Sequence, residues 1–168
     1  MTHRLLLLRH AKSSWDDPSR PDHDRPLSKR GRGAAERIGV HLRELGVRPD
    51  LVLCSSSRRT RETLERLALV DADVRLEDGL YAAGDDELLA RVREVPDDVA
   101  SVLLIGHNPG VQDLAIGLAG PDLGDVAARV RQRFPTGGLA TFELDGTWRH
   151  AAPGRVRLVS FVVPRELG

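Results

Sequence analysis

Leu5-Leu6-Leu7-Leu8-Arg9-His10-Ala11-Lys12-Ser13 is the stretch on which the fold turns. Four leucines in a row are continuously apolar rather than alternating, the pattern of a strand covered on both faces, and such strands belong to sheets enclosed by helices. Two more runs have the same form, Leu51-Val52-Leu53-Cys54 and Val102-Leu103-Leu104-Ile105. Each of the three stops in polar residues: Arg9-His10-Ala11-Lys12-Ser13, Ser55-Ser56-Ser57-Arg58-Arg59-Thr60-Arg61 and Gly106-His107-Asn108-Pro109-Gly110. Ligands of open α/β sheets gather at the carboxyl ends of strands, so these three segments are where chemistry is expected.

Helical patterns separate the runs. Ser28 is placed as an N-cap for a helix burying Gly31, Ala35, Ile38, Leu42 and Leu45, with Gly46 as its stop. The cluster Ser55-Ser56-Ser57 caps a second helix carrying Thr60, Leu64 and Leu67 on one face. Asp85 and Asp86 open a third, with Leu88, Leu89 and Val92 inward and Pro96 beyond its end. Asn108-Pro109 reads as cap and first-turn proline of a fourth helix burying Val111, Leu114, Ala115 and Leu118, and a further helical piece spans Asp125 to Arg133. Near the C-terminus the period changes to two: Phe142 and Leu144, then Val156 and Leu158, with Asp145-Gly146 as a hairpin signal, predict antiparallel edge strands. Asp16 to Arg25 is a polar, proline-containing loop. The expected architecture is α/β, a three-layer sandwich with a mixed, mostly parallel central sheet flanked by helices, formed by residues 1–168 as a single domain.

Composition narrows the function classes. The 25 Lys+Arg balance 25 Asp+Glu, which leaves no net field to attract nucleic acid or an anionic membrane. Cys54 is the only cysteine, so neither an intramolecular disulfide nor a Cys-rich metal site can form. Four leucines before Arg9 are shorter than a signal-peptide core or a membrane span, and the expected location is the cytoplasm. No His-Glu-x-x-His or clustered carboxylate pattern accompanies His10 or His107, so no metal and no cofactor are expected.

If the three apolar strands are sheet neighbours, two histidines and several arginines converge. Guanidinium forks match phosphate oxygens, and helix N-termini add N–H donors, so the implied ligand is a phosphate. A neutral histidine beside such arginines can attack phosphorus if its other ring nitrogen is held by an acceptor; His10 suits that role, and His107 that of a donor to the transferring phosphoryl group. Taken singly, each segment reads as an ordinary cap or turn, and the joint occurrence at three strand ends is what favours the site. His3, His23, His41 and His150 lack that setting and are assigned to surface or packing roles.

Arg9-His10-Ala11, with Pro26-Leu27-Ser28-Lys29-Arg30-Gly31, Cys54 through Thr63, and Gly106-His107-Asn108-Pro109, resembles in order the motifs of the histidine phosphatase superfamily, the phosphoglycerate-mutase-like fold. The short chain and the run from Arg9 to Trp15 are most similar to its SixA-type phosphohistidine phosphatases. The resemblance implies a phosphoryl-accepting His10 and a phosphate pocket lined by Arg9, Arg59 and His107. Lys12 and Ser13, close to His10 in sequence, are expected to contact substrate together with Asn108. Asn108 either caps the following helix or touches the phosphate. Arg59 rather than Arg58 matches the family's arginine, which precedes a small residue, here Thr60, and stands four before a threonine, here Thr63.

Two departures from the family pattern matter. Ala11 stands where the family has glycine, and Asp16 where larger members carry asparagine. The glutamate-bearing insert that protonates alkoxide leaving groups in mutases and many phosphomonoesterases has no counterpart, leaving Glu77, Asp78 and Asp85 as candidate acids. The expected activity is therefore metal-independent hydrolysis of phosphohistidine in a phosphorelay or phosphotransfer protein. The alternatives are a small-molecule phosphomonoester phosphatase using the same four residues and a non-catalytic phosphoprotein-binding module.

Overall fold

A computed structural model of the chain describes residues 2–168. The three leucine- and valine-rich runs are strands β1 (Thr2–Arg9), β2 (Leu51–Ser55) and β4 (Ser101–Gly106). With β3 (Asp73–Glu77), β5 (Leu139–Asp145) and β6 (Val156–Val162) they form one sheet in the order β3-β2-β4-β1-β5-β6. The four strands from β3 to β1 pair in parallel, while β5 and β6 run antiparallel. The helices are α1 (Lys29–Glu44), α2 (Arg58–Leu67), α3 (Asp85–Arg93), α4 (Gly110–Ala119) and α5 (Asp125–Gln132).

Strand pleating sorts the apolar runs between two cores. Leu6, Leu8, Val52, Cys54, Leu103 and Ile105 face one side with Ile38 and Leu42 of α1 and Leu67 of α2. Leu5, Leu7, Leu53, Val102 and Leu104 face the other, against residues of α3, α4 and α5 such as Leu88, Leu114 and Val130. Every second residue of a run serves the opposite layer, which is why the runs carry no polar alternation. The expected three-layer α/β sandwich is the observed fold.

Ser28 caps α1 by accepting from the Gly31 N–H at 3.0 Å, and Ser57 caps α2 by accepting from Thr60 N–H. Leu45 departs from its expected inward place: it is the C-cap residue just past the end of α1 and is 63% exposed. Pro109 occupies the N-cap position of α4 rather than its first turn. Asp145-Gly146 does not close a tight hairpin, since a ten-residue connection containing the 3₁₀ turn Trp148–His150 separates β5 from β6. Of these two strands only β6 is an edge, because β5 pairs with β1 as well. Strand β3 escaped the sequence reading: Val74 and Leu76 are exposed on the opposite edge, so it has no buried pattern to recognise. Among the described residues no helix is long and apolar enough to cross a membrane.

Helices α1 and α2 meet at Gly39, where an added Cβ would stand 2.3 Å from the Leu67 carbonyl oxygen. Gly39→Ala gains roughly 1 kcal/mol of helix propensity but forces backbone apart at a cost of about 3 kcal/mol. A net loss of roughly 2 kcal/mol is expected, read as a lower urea midpoint at unchanged slope.

Candidate active site

Because β2, β4 and β1 are adjacent and parallel, the segments that follow them leave the sheet side by side. His10 N–H donates to the Gly106 carbonyl at 3.0 Å, tying the end of β1 to the end of β4. From the other side Gly137, at φ +76°, donates its N–H toward the Arg9 and His10 carbonyls, both at 3.0 Å. A left-handed residue there folds the loop before β5 against the end of β1. Ala11 N–H donates to Thr63 Oγ1 at 3.0 Å, and that hydroxyl donates to the Arg59 carbonyl at 2.7 Å. The threonine four residues after Arg59 thus fastens α2 to the backbone beside His10. Ala11, in place of glycine, fills a small core with Leu27 and Ala35.

His10 is buried, with Nδ1 2.7 Å from the Ala11 carbonyl oxygen. A carbonyl only accepts, so in the neutral ring Nδ1 carries the hydrogen and Nε2 the lone pair. Burial, followed by the fields of His107, Arg59 and Arg9, pushes its pKa down to about 3 against the opposing bond to Ala11. The His107 ring lies 5.2 Å away between centroids. Its Nδ1 accepts from Arg59 Nη2 at 3.4 Å, while Nε2–H donates to Ser55 Oγ at 2.8 Å. Burial and then Arg59 hold His107 down to about 4. Two neutral histidines therefore sit among cations.

Arg59 is 7% exposed, and its two terminal nitrogens donate to Asp22: Nη1 to the backbone carbonyl at 2.8 Å, Nη2 to Oδ2 at 3.1 Å. Arg58 instead projects outward and pairs with Glu62 at 2.7 Å, so burial separates the two arginines as the motif does. Arg9 Nη1 donates to the Phe134 carbonyl at 3.0 Å. Among the described residues its Nε is the one buried side-chain polar atom without a partner.

The remaining expected residues are placed differently. The Asn108 amide donates to the Phe134 carbonyl at 2.9 Å, and its Oδ1 accepts from Gln112 N–H at 3.2 Å, the capping alternative. Ser13 Oγ accepts from Arg25, and both Lys12 and Ser13 line a groove of about 710 Å³ with Trp15, Arg32 and Arg58, apart from the two histidines. Of the three candidate acids, Glu77 is held in a bidentate pair by Arg91, at 2.8 and 2.9 Å, and Asp78 and Asp85 are exposed. Cys54 is fully buried and its thiol is pushed up to about 12, which removes it as a nucleophile. No group of three or more His, Cys, Asp or Glu side chains among the described residues is placed to hold a metal.

Three side chains at the mouth were missed. Asp22 accepts from Arg59, Arg25 and Tyr81. The Tyr81 ring meets His107 edge-on at 5.5 Å, and His23, expected in a surface or packing role, packs on Tyr81 at 4.8 Å and lies 3.0 Å from Ser56 Oγ. Asp22 and His23 sit in an aperiodic loop, and Tyr81 follows the one parallel strand without an apolar run. The only available signal was that Tyr81 is the chain's single tyrosine and stands between the candidate acids Asp78 and Asp85.

The family model for histidine phosphatase superfamily branch 1 matches residues 5–134. An uncharacterised protein of Mycobacterium tuberculosis is 40% identical over 161 residues, covering 94% of this chain and 100% of its own length. Among solved structures, a candidate phosphohistidine phosphatase SixA from Nakamurella multipartitia is 34% identical, with a TM-score of 0.88, covering 98% of this chain and 97% of its own. The protein histidine phosphatase SixA complexed with tungstate is 26% identical with a TM-score of 0.74, covering 97% of this chain and 98% of its own.

The depressed histidines make stability depend on pH with a definite sign. Both pKa values lie below the ordinary 6.5, so the unfolded chain binds more protons than the native state as pH falls through 6.5. Stability is full above that value and declines until about pH 3, the lower of the two native values. Urea unfolding at a series of pH values should show the decline, and His10→Asn, which does not titrate, should lessen it to the share of His107.

Proposed function

The chain belongs to the histidine phosphatase superfamily, and from that premise we propose that it hydrolyses phosphohistidine on a protein through a covalent phospho-His10 intermediate. The observation that carries the reading is the fixed tautomer of His10. Its Nδ1–H is spent on the Ala11 carbonyl, so Nε2 presents an unprotonated lone pair at neutral pH beside two guanidinium groups.

In the first step Nε2 of His10 attacks phosphorus in line, and the P–N bond to the substrate imidazole breaks, its electron pair leaving with that ring. Arg9 and Arg59 stabilise charge on the equatorial oxygens. The phosphoryl dianion counters the burial and the positive fields that hold His107 neutral, so His107 takes a proton from solvent on Nδ1, donates to the phosphoryl group and hands that proton to the departing imidazole. In the second step water attacks phosphorus, the P–Nε2 bond of His10 breaks with its pair returning to the ring, and the water's proton passes to His107. Inorganic phosphate is the product. No metal enters this sequence, because the arginines and His107 supply the electrophilic stabilisation.

The state of the carboxylates supports a P–N substrate over an alkyl ester. Glu77 is committed to a bidentate pair with Arg91, and Asp22, held at about pKa 2 by Tyr81, Arg25 and Arg59, is a poor acid for an alkoxide. An imidazole leaving group needs far less help. A reducing cytoplasm suits the single buried thiol.

Acid-quench trapping with labelled phosphohistidine protein tests the proposal. Acid-labile, alkali-stable label is expected on the wild type and none on His10→Ala, together with a loss of turnover of at least about a thousandfold. Arg59→Ala should lower turnover by about a hundredfold or more, while Arg58→Ala, which removes an exposed pair, should stay within about twofold. A larger loss for Arg58→Ala than for Arg59→Ala would reverse their assignment. Faster turnover of small phosphomonoesters than of phosphohistidine would move the substrate to that class.

A further inference from the structure

Arg59 has to meet the phosphoryl group, yet both of its terminal nitrogens are engaged by one residue. Nη1 donates to the Asp22 carbonyl at 2.8 Å and Nη2 to the Asp22 carboxylate at 3.1 Å. The same Nη2 is the nitrogen 3.4 Å from His107 Nδ1, so it is the donor that faces the reacting centre. The Asp22 carboxylate is saturated as a bound oxyanion would be: Oδ2 accepts from Arg59 and the Tyr81 hydroxyl, and Oδ1 accepts from Arg25 Nη1 at 3.1 Å.

The mobility needed for exchange is built into the same turn. Asp22 begins the 3₁₀ turn Asp22–Asp24, which contains no buried residue, and its side chain is half exposed. Arg25 and Tyr81 also donate to the carboxylate, so they can retain it after the guanidinium lets go. Rotation of one surface side chain frees Nη2 without disturbing the core.

Resting on the reading of this pocket as a phosphoryl site, we propose that Asp22 is a built-in competitor that occupies Arg59 in place of phosphate, yields to the substrate, and on returning expels the inorganic phosphate product. The enzyme therefore binds its product weakly by construction. A residue that merely positioned Arg59 would have the opposite signature, because its loss would weaken the anion's hold.

Calorimetric titration of the full chain with inorganic phosphate separates these cases. Asp22→Asn and Asp22→Ala should each bind phosphate about tenfold more tightly than the wild type, with a matching fall in the product-inhibition constant, and Arg59→Ala should lose binding. Agreement between the two substitutions matters, since the amide can keep hydrogen bonds that alanine cannot. Unchanged or weaker binding by the Asp22 variants, with binding still abolished by Arg59→Ala, overturns the competitor role and leaves the phosphoryl site intact. Phosphate binding indifferent to Arg59→Ala overturns both.

Discussion

Parallel pairing of β1, β4 and β2 is the constraint on which the rest of the structure depends. Strands in parallel register finish at one edge of the sheet, so residues separated by about half the chain in sequence arrive within a few ångströms of each other: His10 after β1, His107 after β4, Arg59 after β2. Parallel strands also require crossovers, and the helices that supply them, α1 to α3, together with α4 and α5 cover both faces and make the interior dry. The dryness is felt at the site as well as in the core. Burial is the first cause of the depressed basicity of both histidines, ahead of any neighbouring charge.

That ordering of causes explains how one pocket can hold guanidinium groups and a nucleophile together. Cations next to an imidazole lower its affinity for a proton, and desolvation acts in the same direction, so the lone pair survives at neutral pH. Carbonyls and a carboxylate receive the arginines: Phe134 for Arg9, Asp22 for Arg59. Backbone acceptors recur throughout, at Ala11, Gly106 and Phe134, and their positions are set by the strands and loops rather than by side-chain rotamers.

What the sequence made legible follows from this physics. Runs buried on both faces announce themselves without alignment, and polar residues at their ends mark the pocket, so β1, β2 and β4 with His10, His107 and the arginine pair could be read directly. Strand β3 could not, because its apolar residues lie exposed on the sheet edge. Neither could Asp22 and Tyr81, which reach the site through a turn and a loop whose geometry depends on tertiary contact. Lys12 and Ser13 were inferred from closeness in sequence to His10, but the chain turns after Ala11 and carries them to a neighbouring groove. Asn108 has side-chain chemistry suited to either role, and only the positions of Phe134 and Gln112 decide between them.

The Arg25 guanidinium lies 3.2 Å from the centroid of the Trp15 ring while another of its nitrogens holds Asp22. Trp15 is 73% exposed, and the only other tryptophan, Trp148, is fully buried with its indole N–H on the Val99 carbonyl at 2.8 Å. The two indoles therefore emit from opposite environments, and an aqueous quencher reaches one of them. The wet indole is separated from the buried arginine of the pocket by a single cation and a single carboxylate. The environment of the Arg25 guanidinium is consequently sampled by an exposed indole, and displacement of that guanidinium from the ring is a change that the red edge of the intrinsic fluorescence can register with no label attached.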